Sequence, residues 1–515
     1  MMALDHGGAR PVYGNPPGGR ADQHRYLFWA SGAKPPSGAL VTAAAGTQFV
    51  MTKLIFGSPG YPIDHLRLHL SGFACTEGGN SPQETVLPGN TTSIDGLWVS
   101  VNDGPARRCR FDGSDTAVIA SGANGLWTDD LALPVAVPPD SLVTIYTLYH
   151  CAPGERQIPV YQIEKHRGER VWGAADAASL AAMIGSLAPS TPSLDTLYGN
   201  GGQPAYYGPD MMVAKGWDGR PVVLAVNDSI GERQNDMPQG SDDRRNKGWL
   251  RRWLDHPGGR GRIPHFMMGV PGTASRRELS TNATKRWDIL QDIVAFNGGK
   301  WPMTCVIDQL GTNDHQTSYA TMKADWSGLI TRIRARFPAI PVIAVGTSLR
   351  TSASTDNYRT AASQTLHANN ANYRLLDADK ALGMDGLLQG FVDLYGRAYQ
   401  QTGDRWPDTM FTSSLAAPAG TDGGTGYTSI QLTDAPLPGD LLRWGSNGVQ
   451  LALVVDCTGT AGNWLVTLDR NTNVAIAAAG SPVYAPATAD GTHPYRREIA
   501  RMAAAVPQSD KMRLR

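Results

Sequence analysis

Long apolar runs are missing from this 515-residue chain. No stretch reaches the ~18 consecutive apolar residues of a membrane-crossing helix, so no membrane span is expected. Charge of one sign is also missing, since 46 Lys+Arg balance 46 Asp+Glu. A chain without a global basic field is not expected to hold nucleic acid or an anionic membrane. A neutral polymer, a small ester or a carbohydrate fits that balance better. Cysteine is scarce. Cys75, Cys109, Cys151, Cys305 and Cys457 form no CxxC pair and no Cys/His cluster with zinc-ligand spacing. No metal is therefore expected. Three of them fall in the N-terminal third, which leaves room for one disulfide, although isolated buried thiols are the blander reading.

Several motifs are absent too. There is no Gly-x-Ser-x-Gly elbow, no P-loop, no dinucleotide glycine fingerprint and no HExxH. No cofactor is expected. The opening MMALDHGGARPVYGNPPGG lacks the charged-then-apolar layout of a signal peptide. That leaves open either no export by that route or a leader removed, and the compartment stays unassigned. Residues 1–24, rich in Gly and Pro, are expected to form a flexible arm.

What is present is a globular composition, 41% hydrophobic and 18% charged. The length suggests several domains. With 58 Gly and 35 Pro, many turns and a large share of β-structure are expected. Residues 25–168 read as short strands, among them LVTAAAGTQFVMTKLIF, DHLRLHLSGF, GLWVSVND, LALPVAV and SLVTIYTLYH, separated by Gly/Pro/Asn/Asp clusters. That pattern predicts an N-terminal β-sandwich of jelly-roll-like kind.

The pattern then changes over 169–410. After a helical AADAASLAAMIGSLA come short apolar runs: PVVLAV, PHFMMGV, MTCVIDQL, PVIAVG and YRLLDAD. Each reads as a strand buried on both faces. Helical stretches lie between them: DDRRNKGWLRRWL, SRRELSTNATKRWDILQDIVAF, ATMKADWSGLITRIRARF and TDNYRTAASQTLHANN. Such alternation predicts an α/β fold with a doubly wound parallel sheet. Residues 411–486 break the alternation with TSIQLTD, QLALVVD and WLVTLD, a small β insertion. The α/β pattern resumes over 487–515 with DGTHPYRREIARMAAAV.

Open parallel sheets build their sites at the carboxyl ends of strands. Asn227-Asp228-Ser229 follows PVVLAV, Pro271-Gly272-Thr273 follows PHFMMGV, and Gly311-Thr312-Asn313-Asp314 follows MTCVIDQL. Asp490-Gly491-Thr492-His493 stands ahead of the last helix. These are the parts acyl transfer needs. A serine hydroxyl requires a base to take its proton. Histidine titrates in the right range, and a carboxylate on its other nitrogen fixes the tautomer. Gly and Asn can aim N–H groups at an oxyanion.

Each piece has a blander reading alone. Ser229 would be a helix N-cap, Gly272 a turn, Gly311-Thr312-Asn313-Asp314 loop chemistry, and His493 a surface histidine beside a turn. Together, in order and at strand ends, they resemble the blocks of the SGNH/GDSL hydrolase superfamily, a family of serine esterases. The resemblance spans about 221–505. It implies a flavodoxin-like three-layer α/β/α domain, with Ser229 as nucleophile, His493 as base and Asp490 as its orienter. It also implies an oxyanion hole of the Ser229 and Gly272 backbone N–H groups and the Asn313 side chain.

The family usually carries Gly where this chain has Asn227. Asparagine tolerates the left-handed backbone region next best, and its amide is expected near the substrate. His315, beside the third block, is the other candidate substrate-lining residue. Gln234, Asn235 and Asp236 read as a solvated loop, and His256 and His265 lie near strand ends. Asp228 and Asp314 are expected to brace turns, Trp249 and Trp253 to pack in the core, and Arg251-Arg252 to face solvent.

The expected activity is hydrolysis of a carboxylic ester through an acyl-enzyme. By analogy with family members that pair a β-sandwich with the catalytic domain, the substrate is an acetylated polysaccharide and the enzyme a carbohydrate O-acetylesterase. A lipase or thioesterase of the same superfamily is one alternative. The other is a carbohydrate-binding or phage-tail-like structural protein.

Overall fold

The computed structural model describes residues 22–77, 83–161, 163, 168–185, 206–232, 248–255, 262–278, 284–314, 318–348, 350–355, 360–383, 386–394, 411–416, 427–437, 440–444, 450–472, 480–485 and 501–504. Residues 1–21 of the expected arm lie outside them.

At the centre of the α/β unit runs a parallel sheet of β1 (Val223–Val226), β2 (His265–Met267), β3 (Cys305–Asp308), β4 (Val342–Val345) and β5 (Gly390–Val392). Its spatial order is β2-β1-β3-β4-β5. The chain therefore reverses direction across the sheet between β1 and β3, which is where parallel sheets open a crevice at their carboxyl ends. The strands are short and apolar because both faces are covered. Leu224 and Val226 join one apolar cluster with Trp287, Leu290, Trp326 and Ile330. Val223 and Ala225 join another with Trp249, Trp253, Leu254 and Met502.

The helix Tyr319–Arg336 shows how sequence sets one of these faces. The Ser318 hydroxyl caps its start by accepting the Thr321 N–H. Met322, Trp326, Leu329, Ile330 and Ile333 repeat at helical spacing and are buried. Burying one such side chain stabilises the fold by about 1.5–3 kcal/mol.

Two sequence expectations in this unit are corrected. YRLLDAD is not a strand but part of the helix Asn370–Ala381, where Tyr373, Leu376, Asp377 and Lys380 are buried at intervals of three and four. TDNYRTAASQTLHANN is not a single helix. Its Gln364–Leu366 pairs antiparallel with the preceding Thr351–Ser354.

Among the described residues the N-terminal region forms two larger antiparallel sheets and a two-stranded pair of Val41–Thr42 with Arg156–Gln157. One runs Arg170–Ala174, Phe49–Gly57, Leu142–His150, Thr92–Val101 and Arg107–Arg108. The other runs Leu27–Phe28, Met211–Lys215, Ile63–Leu70 and Leu126–Trp127. Strands Arg170–Ala174 and Met211–Lys215 belong to these sheets, so the β-rich unit passes the expected boundary at 168 and reaches Lys215. Composition missed this because the intervening segment reads as helical.

This unit shares its core with the α/β unit. The Phe28 and Phe266 rings lie 5.3 Å apart, and Trp127 meets Phe296 edge-on at 5.4 Å. The region 411–486 carries a separate six-stranded antiparallel sheet around Leu432, Trp444, Val466 and Val483. All five cysteines are free. Burial pushes the thiols of Cys75, Cys109 and Cys305 up to about 12, as inert core groups.

Candidate active site

Ser229 follows β1 and opens the short helix Ser229–Glu232. Asp228 fixes that turn as expected. Its side chain accepts the Ile230 N–H at 2.9 Å, and its carbonyl accepts the Glu232 N–H at 2.8 Å. Ser229 is thus held by bonds made on either side of it in sequence.

The turn after β2 carries Gly272, whose φ of +80° is a left-handed value that suits glycine. Thr273 closes the turn, its N–H donating to the Val270 carbonyl at 3.0 Å and its hydroxyl accepting the Val270 N–H at 3.1 Å. The segment after β3 has Gly311 at φ +138°, where a Cβ would stand 2.6 Å from the Thr347 hydroxyl. A short 3-10 turn, Thr312–Asp314, follows.

The three segments are bonded to one another. Asn313 Nδ2 donates to the Thr273 carbonyl at 3.0 Å, and lies 3.5 Å from Asp228 Oδ2. Asp314 Oδ2 accepts the Ser275 N–H at 3.2 Å. Burial pushes the Asp314 carboxyl up to about 6, with the Ser275 N–H and the charge of Arg276 pulling the other way. Tyr373 reaches across from its helix to donate to the Thr312 carbonyl at 2.9 Å.

Of the sequence candidates, Ser229, Gly272 and Asn313 therefore stand on three neighbouring strand ends whose loops are tied together. Asp490, His493 and His315 lie outside the described residues, as do His256, Gln234, Asn235 and Asp236. Of the two substrate-lining candidates, Asn227 is the one within the described residues. It is fully buried, its Nδ2 donates to the Asp228 carbonyl at 3.1 Å, and its Oδ1 accepts the Gly269 N–H at 3.1 Å. Nor is Asn227 among the described non-glycine residues with positive φ.

Arg251 is corrected as a solvated residue, because it is buried and donates to the Glu232 carbonyl at 2.9 Å. Trp249 and Trp253 pack in the core as expected, their rings 6.4 Å apart. His265 is buried, and burial with the nearby charge of Arg251 pulls its imidazole down to about 3. A histidine so held is neutral and serves the core. Among the described residues no group of His, Cys, Asp and Glu could hold a metal ion.

Sequence reading missed the groups that support these loops. Lys34 forms a buried ion pair with Glu232 at 3.1 Å, and Gln83 accepts from the Thr273 hydroxyl at 2.9 Å. No local signal marks them, since each partner lies nearly two hundred residues away in sequence.

No family model and no curated protein matches the chain. Among the solved structures that match it are three named as esterases. A family two carbohydrate esterase from Cellvibrio japonicus is 11% identical over 69% of this chain and 88% of its own, with a TM-score of 0.25. A carbohydrate esterase family 2 enzyme with a carbohydrate binding domain, from Myceliophthora fergusii, is 11% identical over 72% and 89%, at 0.26. An acetylxylan esterase from Geobacillus stearothermophilus is 16% identical over 34% and 77%, at 0.23. At these TM-scores the matches carry no argument of their own. The likeness to the SGNH hydrolases is carried instead by Asn227-Asp228-Ser229, Gly272 and Gly311-Thr312-Asn313-Asp314 at the ends of β1, β2 and β3.

Proposed function

We propose that the chain is a serine esterase of the SGNH type that works through an acyl-enzyme. The observation that carries this reading is the bonding of the Asn313 side chain to the Thr273 carbonyl, beside Gly272, and its approach to Asp228, beside Ser229.

Ser229 Oγ attacks the ester carbon while His493 takes its proton, and Asp490 holds the imidazole in the productive tautomer. Negative charge on the carbonyl oxygen is met by the N–H groups of Ser229 and Gly272 and by Asn313 Nδ2. The Asn313 amide has two protons. One N–H donates to the Thr273 carbonyl, and the other lies across a long Nδ2–Oδ2 separation of 3.5 Å from Asp228, the weakly engaged donor that this reading assigns to the oxyanion. The alcohol leaves with the proton from His493. Water then repeats the sequence on the acyl group.

In this reading the α/β unit is a three-layer α/β/α domain, supported by the two apolar clusters that divide alternate strand residues. The N-terminal sheets form a sandwich around their common cluster, and 411–486 shapes substrate access ahead of Asp490 and His493. The proposed substrate is an acetyl ester on a polysaccharide, by analogy with enzymes that join β-rich units to such a catalytic domain. Hydrolysis of p-nitrophenyl acetate, lost in Ser229→Ala, tests the chemistry. Acetate release from acetylated xylan tests the substrate. A wild-type rate equal to that of Ser229→Ala overturns both.

A further inference from the structure

We propose that the N-terminal β-rich unit aims the oxyanion turn of the α/β unit, with Gln83 as the positioning residue. The inference rests on the esterase reading for its functional meaning, and on the bonds around Met268–Thr273 for its geometry.

Gln83 is 1% exposed, so its amide was removed from water on folding and needs partners within the protein. Its Nε2 donates to the Thr76 carbonyl at 3.4 Å. That leaves Oε1 facing the α/β unit, 2.9 Å from the Thr273 hydroxyl and 3.4 Å from Arg286 Nη2. The Thr273 proton has two acceptors, Gln83 Oε1 and the Val270 carbonyl at 2.8 Å. The carbonyl of the same Thr273 accepts from Asn313. One residue thus links Gln83 on one side to the proposed oxyanion donor on the other.

The neighbouring Glu84 secures the far end of the turn. It pairs with Arg286 at 2.8 Å, and Glu278 pairs with the same guanidinium at 2.6 Å. Arg286 in turn donates to the Met268 carbonyl at 2.8 Å. All three charged groups are buried. Truncating one member of such a set leaves a buried charge uncompensated, so the arrangement resists displacement. Residues 83 and 84, adjacent in the N-terminal unit, therefore hold both ends of the segment that carries Gly272.

A second contact points the same way. Lys34, also N-terminal, forms its buried pair with Glu232 at the end of the helix that Ser229 begins. The β-rich unit grips the nucleophile segment and the oxyanion turn separately. Displacing donors by about 1 Å can cost on the order of 100-fold in rate.

Gln83→Leu removes the acceptor and keeps the bulk, and Thr273→Val removes the hydroxyl from the other side. Each is measured with p-nitrophenyl acetate, alone and combined with Asn313→Ala, beside wild type and Ser229→Ala. The expected result is kcat lower by about 10–100-fold, KM within about twofold, and little further loss when Asn313→Ala is already present. Hydrogen exchange of the 268–273 peptide, read by mass spectrometry on the full chain, is expected to quicken in Gln83→Leu while β1 and β3 stay protected. Unchanged kcat in a folded variant, full additivity with Asn313→Ala, or unchanged exchange at 268–273 overturns the proposal. If wild type shows no Ser229-dependent hydrolysis, the esterase reading fails, and exchange alone decides whether Gln83 holds the turn.

Discussion

Asn227 Oδ1 accepts the Gly269 N–H at 3.1 Å, joining the end of β1 to the end of β2 just ahead of the two loops that carry Ser229 and Gly272. The backbones there are in close approach, since a Cβ on Gly269 would stand 1.6 Å from the Asn227 carbonyl oxygen. Asn227 is thus a structural link between strand ends.

Removing that link has a defined cost. Asn227→Ala leaves the buried Gly269 N–H without its acceptor, which is expected to destabilise the protein by about 1–3 kcal/mol. Urea unfolding followed by fluorescence checks this, and a midpoint equal to wild type contradicts it.

Gly269→Ala is expected to be worse. The contact at 1.6 Å is with backbone, which cannot swing aside as a side-chain end can. A loss of at least about 3 kcal/mol is expected, with the β1 and β2 ends displaced. Thermal unfolding and soluble yield report it. A variant as stable as wild type shows that the strand ends do not meet as described.

Asn313→Ala separates binding from catalysis. Loss of one oxyanion donor is expected to lower kcat by about 10²–10³ with little change in KM. Steady-state kinetics on p-nitrophenyl acetate check it. A change confined to KM moves Asn313 from the oxyanion hole to substrate binding.

Asp314 gives stability a pH dependence of known sign. Its carboxyl is raised from 3.8 to about 6 in the folded protein, mainly by burial. The folded state therefore binds this proton more tightly than the unfolded chain. The stabilisation is fully present below the unfolded value and is lost as pH rises through about 6, a difference on the order of 3 kcal/mol. Asp314→Asn, which cannot ionise, is expected to gain on wild type by up to about that amount between pH 4 and pH 7. Urea titrations at the two pH values measure it, and parallel curves for the two proteins contradict it.

The parallel sheet was legible because VLAV, HFM, CVID and VIAV are apolar runs too short for helices, and each ends in a chemically distinctive loop. Ser229, Gly272 and Asn313 could be placed at strand ends from that pattern alone. The fifth strand was not legible. Gly390–Val392 is three residues long and includes a glycine, whereas the apolar density of YRLLDAD belongs to a helix whose buried residues repeat with period 3.6. Arg251 misled for another reason. A charged pair reads as solvated in a linear sequence, and its burial depends on the Glu232 carbonyl, brought near only by the fold. Gln83 and Lys34 carry no local signal, because tertiary proximity alone gives them their partners.

The most direct measurement is the rate and position of covalent labelling by a fluorophosphonate, a reagent that needs an activated serine. The expected adduct sits on Ser229 alone, located by peptide mass spectrometry, and labelling slows by at least about 10³-fold in His493→Ala. An adduct on another residue, or a labelling rate indifferent to His493, contradicts the convergence of these segments into one catalytic site.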